Sequence, residues 1–260
     1  MHQACQVFSL TSQVGPEIRD DERMLRFMFV GDSMTIGSAG EHTWRHRMWQ
    51  HLRSSPGDER HTIVGPRRAL HDKESGEPTS HAYAADVEPA FPRNHLAGWG
   101  EGWLHMAPQI ADAVTRERAD VLLISLGLID LGFYTNAEQT AENMRAFVGE
   151  ARSANPHIRM VLLPVIPNVR ARTDAPFAAE VARFNTLLAK AVADLDTGTS
   201  PLLLASTPSA YDIDADTYDG THPNASGEHR LAGAFADAMH QAWGVGAPYA
   251  RTPAHPTPAN

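Results

Sequence analysis

The chain has 260 residues, 42% apolar, 20% charged and 7% aromatic, which supplies a sizeable core and excludes collagenous, coiled-coil and wholly disordered classes. Its 31 acidic and 22 basic side chains leave a formal net charge of −9, and without a basic stripe that balance argues against nucleic-acid binding. Cys5 is the only cysteine, so an intrachain disulfide and a multi-thiolate metal site are both excluded.

Residues 1–24 are polar and aperiodic and read as an N-terminal arm without the basic n-region of a secretory signal. No later stretch approaches the ~18 apolar residues of a membrane span, so the expectation is a soluble cytoplasmic protein with no membrane partner. A single domain is expected over residues 25–245. It opens with the apolar run Leu25–Val30, stopped by Gly31; such a run suits a strand buried on both faces of a parallel sheet. Thr43–Leu52 carries a helical pattern. Beside and within it lie His42 and His46, the obvious i, i+4 pair among 14 histidines. No His-Glu-x-x-His occurs and a polar helix face explains the pair, so neither a metal nor a cofactor is expected.

A short strand at Thr62–Val64 leads into residues 66–96, which hold Pro66, Pro78, Pro89 and Pro92 and show no period. A connection of that length reads as a surface excursion or a lid. Then helices at Trp103–Arg116, Ala137–Arg152, Ala178–Leu195 and Ser226–Trp243 alternate with strands at Val121–Ile124, Met160–Leu163 and Leu202–Leu204. Thr135-x-x-Glu138 has capping-box spacing for the second of these helices. Leu231, Phe235, Ala238 and Ala242 form an apolar stripe on the last. Residues 246–260 are rich in Pro and Ala and read as a flexible tail. Five apolar strands alternating with helices predict a doubly wound, mostly parallel five-stranded α/β domain.

In such sheets ligands bind beyond the carboxyl ends of the strands, so the residues after each strand define the search. The first strand ends in Gly31-Asp32-Ser33-Met34-Thr35, the third in Gly127-Leu128-Ile129-Asp130 and the fourth in Pro164-Val165-Ile166-Pro167-Asn168. The fifth runs toward Asp219-Gly220-Thr221-His222-Pro223. A hydroxyl, an imidazole and carboxylates therefore converge on one sheet edge. A serine hydroxyl becomes a nucleophile when imidazole removes its proton, and the imidazole needs a carboxylate on its other nitrogen to fix its tautomer. Asp219, three residues before His222 across a glycine-containing turn, can fold back onto that ring.

These blocks resemble those of the SGNH (GDSL-type) hydrolases. Gly31–Thr35 is similar to the family's GDS-x-T block, and Asp219–Pro223 to its D-x-x-H-P block. The resemblance spans about residues 25–243. It implies a flavodoxin-like three-layer α/β/α fold, with Ser33 as nucleophile, His222 as base, Asp219 as its partner and a small-molecule acyl substrate. It further implies an oxyanion hole built from the Ser33 amide, a glycine amide and an asparagine side chain. The glycine is expected at Gly100 or Gly98 within Ala97-Gly98-Trp99-Gly100. In the third block isoleucine, which cannot donate a hydrogen bond, stands at position 129 where asparagine is the family residue.

Asn168 and Arg170 are candidates to replace that donor or to contact substrate, with polar loop surface as their plainer role. Asp130 is expected to hold loops together rather than do chemistry. The leading reading is a serine esterase or acylhydrolase working through an acyl-enzyme. A lyase or cyclase using Ser33 and His222 for proton transfer is the second, and a non-catalytic binding protein the third.

Overall fold

The computed structural model describes residues 24–55, 60–208 and 211–250. All but the last residue of the expected arm, and most of the expected tail, lie outside the described residues.

The apolar runs form strands β1 (Leu25–Gly31), β2 (His61–Val64), β4 (Val121–Ser125), β5 (Arg159–Leu162) and β6 (Leu202–Leu204), all paired parallel in the order β2-β1-β4-β5-β6. Phe27, Met28, Phe29 and Val30 have no exposed surface, as do Val121–Ile124, which is why these runs lack alternation. The expected five strands gain a sixth, β3 (Leu96–Ala97), which pairs with Val30 and Gly31 beyond the point where β2 stops at Met28. Two residues carry no period, so sequence pattern could not announce it.

The helices are α1 (Ser33–Ile36), α2 (Trp44–Ser54), α3 (Trp103–Glu117), α4 (Ala137–Ala154), α5 (Ala175–Leu195), α6 (Ile213–Asp216) and α7 (Ala225–Trp243). Helix α3 packs on α4 and α4 on α5, while α2 packs on α7, giving the two outer layers of a doubly wound fold. Two local expectations shift. The cap of α4 is Asn136, whose side chain accepts from the Gln139 amide at 2.9 Å, while the Thr135 hydroxyl pairs with that of Thr140. On α7 the buried stripe runs Leu231, Phe235, Met239, whereas Ala238 and Ala242 line a cavity of about 710 Å³ beside β6.

Residues 66–96 have little regular structure, and they are anchored at several points while 73–79 stay exposed. Leu70, Tyr83, Val87 and Phe91 enter the core, and isolated bridges join Arg67 to His95 and Leu70 to Ser80. His42 and His46, both turned to this segment, pair with Asp86 and Glu88 respectively. Among the described residues no group of three His, Cys, Asp or Glu side chains is placed to hold a metal ion. No helix among them is long and apolar enough to cross a membrane. Tyr249, in the expected tail, bonds His229 at 2.8 Å and its ring lies against His51.

Candidate active site

The turn after β1 is built by close packing. A Cβ on Gly31 would lie 2.0 Å from Thr35 Oγ1 and 2.8 Å from the Ser125 carbonyl oxygen, so only glycine lets the chain turn directly into α1. Asp32 caps that turn by accepting from the Met34 amide at 3.0 Å. Its buried carboxyl is pushed up to about 7, chiefly by burial, with the nearby Asp130 charge adding and the Met34 amide opposing. Ser33 thus becomes the first residue of the turn. Its side chain is at the floor of the site, 4% exposed, and its amide has no acceptor among the described residues.

Residues 217–223 form the facing turn. Thr217 bridges to Pro223, its hydroxyl accepts from the Gly220 amide at 2.9 Å, and the Tyr218 amide donates to the His222 carbonyl at 3.1 Å. Gly220 has φ +83°, and a Cβ there would strike Val169 at 2.6 Å. Asp219 uses Oδ1 to accept the amides of Thr221 (3.0 Å) and His222 (2.8 Å), leaving Oδ2 on His222 Nδ1 at 2.7 Å. Nε2 of the same ring is 2.9 Å from Ser33 Oγ. Burial works to raise the Asp219 carboxyl, but the His222 amide and imidazole and the Thr221 amide outweigh it and hold it below the usual carboxylate value. Asp216, buried behind the turn, bonds Ser226 Oγ and Arg230 Nε at 2.6 Å each and locks the loop to α7.

The other residues singled out from sequence fall into place unevenly. The Gly98 amide donates to the Gly31 carbonyl at 3.1 Å, whereas Gly100, at φ +73°, has no acceptor for its amide among the described residues. Asp130 caps α3 by accepting from the amides of Trp103 (2.9 Å) and Leu104 (3.2 Å). Ile129 is partly exposed and opens the single π-helical turn Asp130–Tyr134. Asn168 donates to Thr221 Oγ1 at 3.1 Å and accepts from the Arg170 amide, and the Val169 amide donates to the Gly220 carbonyl at 2.8 Å. Arg170 is spent on Asp174 (2.8 Å), the Gly132 carbonyl (3.0 Å) and the face of Phe177. This loop therefore braces the His222 turn.

Four residues near the site escaped the sequence reading. Arg45, fully buried, donates to the carbonyls of Thr35 (2.7 Å) and Ile36 (3.0 Å) behind the Ser33 turn. It also reaches the Arg93 carbonyl (3.2 Å) and the Tyr83 hydroxyl (2.9 Å), so it ties the 66–96 segment to the nucleophile. The rings of Trp99 and Tyr218 stack on His222 at 4.7 and 5.8 Å, and His71 stacks on Trp99 at 3.9 Å. Trp99 was visible between two glycines of its block; His71 and Tyr218 carry no spacing signal.

A hydroxyl, an imidazole and a carboxylate in hydrogen-bonded series, with the Ser33 amide unengaged, can carry out acyl transfer. Residues 29–230 match the GDSL-like lipase/acylhydrolase family. The chain is 23% identical over 225 residues to a multidomain esterase of Ruminococcus flavefaciens, covering 83% of this chain but only 28% of that protein's length. Its fold is similar to that of an acetyl esterase mutant solved with an acetate ion (TM-score 0.67, 23% identity, 84% of this chain and 97% of that one). It is equally similar to a carbohydrate esterase family 3 structure from Talaromyces cellulolyticus (TM-score 0.67, 24% identity, again 84% and 97%). A Clostridium thermocellum family 3 carbohydrate esterase follows at TM-score 0.64 and 16% identity, over 84% and 96%. With the family's blocks at its sheet edge and its profile matched over most of its length, the chain belongs to the GDSL-like lipase/acylhydrolase family, the SGNH hydrolases.

Proposed function

We propose that this protein is a serine esterase that removes a short acyl group, of the size of acetyl, from a hydroxylated carrier such as a carbohydrate. The observation that carries the reading is the continuous series Asp219 Oδ2–His222 Nδ1 (2.7 Å) and His222 Nε2–Ser33 Oγ (2.9 Å). Ser33 Oγ attacks the ester carbonyl carbon while its proton passes to His222 Nε2, and Asp219 stabilises the resulting imidazolium. The carbonyl electron pair moves to oxygen, where the unengaged amides of Ser33 and Gly100 serve as donors. Collapse expels the alcohol, which takes the proton from His222. Water, deprotonated by the same ring, then releases the acid and regenerates Ser33.

One feature of the site supports a larger carrier. On the carrier side, Trp99, Phe133, Tyr134 and Tyr218 are exposed aromatic side chains in the segments that follow the strands at this sheet edge. Exposed aromatic faces suit sugar rings. The acetyl and carbohydrate esterases of like fold agree with this choice.

The test is turnover across p-nitrophenyl acetate, butyrate and octanoate and on an acetylated oligosaccharide. Turnover should fall with acyl length and extend to the oligosaccharide; preference for octanoate contradicts the proposal. Ile129 favours one competing reading, proton transfer without a tetrahedral oxyanion. Absence of ester turnover alongside elimination or cyclisation would establish it.

A further inference from the structure

We propose that Trp99 positions the His222 imidazole and stabilises its protonated form, with His71 of the 66–96 segment holding the indole in place. The proposal rests on Ser33, His222 and Asp219 acting as the triad. The two hydrogen bonds of His222 leave from Nδ1 and Nε2 and fix the ring within its plane. They leave it free to tip about the line joining them, and only a contact on the ring face resists that motion. Trp99 supplies one: the rings are 4.7 Å apart and 19° from parallel. Trp99 is itself 37% exposed, so core packing does not hold it; His71 does, at 3.9 Å and 16°. Residue 71 in turn is pinned to the nucleophile side, its amide donating to the Gly37 carbonyl at 2.9 Å and its carbonyl accepting from the Ala39 amide at 2.9 Å.

When Ser33 gives up its proton, the ring beside Trp99 becomes a cation facing the negative side of an indole quadrupole. Among the described residues, the other charged or titratable groups around this ring are Asp219 at Nδ1, Tyr218 stacked on it at 5.8 Å, His71 beyond Trp99, Lys73 at 4.7 Å over the Tyr218 ring, and Glu41 beside Tyr218. His71 is held below the usual imidazole value, chiefly by burial, with the charges of His222 and Lys73 adding and that of Asp72 opposing.

The test compares wild type, Trp99→Leu, Trp99→Phe and His71→Leu, with the rate of Ser33 modification by a fluorophosphonate followed from pH 5 to 9 and melting temperature as the check on folding. Trp99→Leu should lower the plateau rate by about 2- to 30-fold and move the acid limb down by about 0.4–1.5 pH units. Trp99→Phe should recover most of both, and His71→Leu should move both in the same direction by less. A folded Trp99→Leu protein with an unchanged limb overturns the proposal even if its rate falls, because a merely structural role lowers rate without moving the limb. Should Trp99→Leu fail to fold, His71→Leu decides: a downward shift supports the proposal and an unmoved limb overturns it. Wild-type protein that resists the probe would overturn the triad, and this proposal with it, whereas a labelled wild type with an unmoved limb in the variants overturns this proposal alone.

Discussion

Asp219 divides its two oxygens between backbone and imidazole, and that division predicts what its amide would do. In Asp219→Asn the side-chain oxygen can still accept the Thr221 and His222 amides, but the new NH2 group faces Nδ1 and favours the wrong tautomer. Activity should fall by roughly 10³–10⁴ while the melting temperature hardly changes, measured by steady-state kinetics and thermal denaturation. Asp32 sits one residue from the nucleophile and has the opposite electrostatics. Its carboxyl titrates at about 7 when folded against 3.8 ordinarily, so between those values the folded state keeps a proton that the unfolded chain has released. Stability from this group is therefore present below pH 4, declines as pH rises to about 7 and is level above. Asp32→Asn keeps an acceptor for the Met34 amide but cannot titrate. Urea midpoints should show the variant gaining on wild type from pH 4 to 7, and parallel curves would contradict this assignment.

At the scale of elements, the site depends on how the turns after β1, β4 and β5 are braced. Arg45 stands under the first. Arg45→Leu strips the donor from the buried carbonyls of Thr35 and Ile36, at roughly 1–3 kcal/mol for each group left unpaired, and from the half-buried one of Arg93. A loss of at least about 2 kcal/mol is expected in chemical denaturation. Lysine should rescue little of it, because one ammonium cannot reproduce the guanidinium fork. At the second turn, Ile129→Asn should raise turnover of simple esters, with a ceiling of about 10²–10³-fold for one added oxyanion donor. Asn168 donates to Thr221, and Arg170 to Asp174 and the Gly132 carbonyl, so both loop side chains brace the His222 turn and its neighbours. The partial exposure of Ile129 makes the polar substitution cheaper than in the core, so the variant should fold. A wild-type rate already at the level of efficient esterases would show that another donor acts.

Across the whole molecule, what sequence revealed was what repeats or what bonds locally. Strands such as Phe27–Val30 declare themselves by unbroken apolar runs, and their alternation with helices fixes the doubly wound order. Ser33 and His222 lie 189 positions apart yet were readable together, because parallel topology sends the carboxyl end of every strand to one edge. Two-residue β3, the register of the α4 cap and the inward side chains of residues 66–96 were not readable, since their placement depends on tertiary partners such as Arg45 and His46. The Trp99–His222 stack was hidden for the same reason. The central claim, that Ser33 is the nucleophile of this array, is tested most directly by peptide-resolved mass spectrometry after fluorophosphonate treatment of wild type and Ser33→Ala. The account predicts a single adduct on Ser33 in wild type and none in a variant that melts within a few degrees of it. An adduct on another residue, or undiminished labelling of Ser33→Ala, would contradict it.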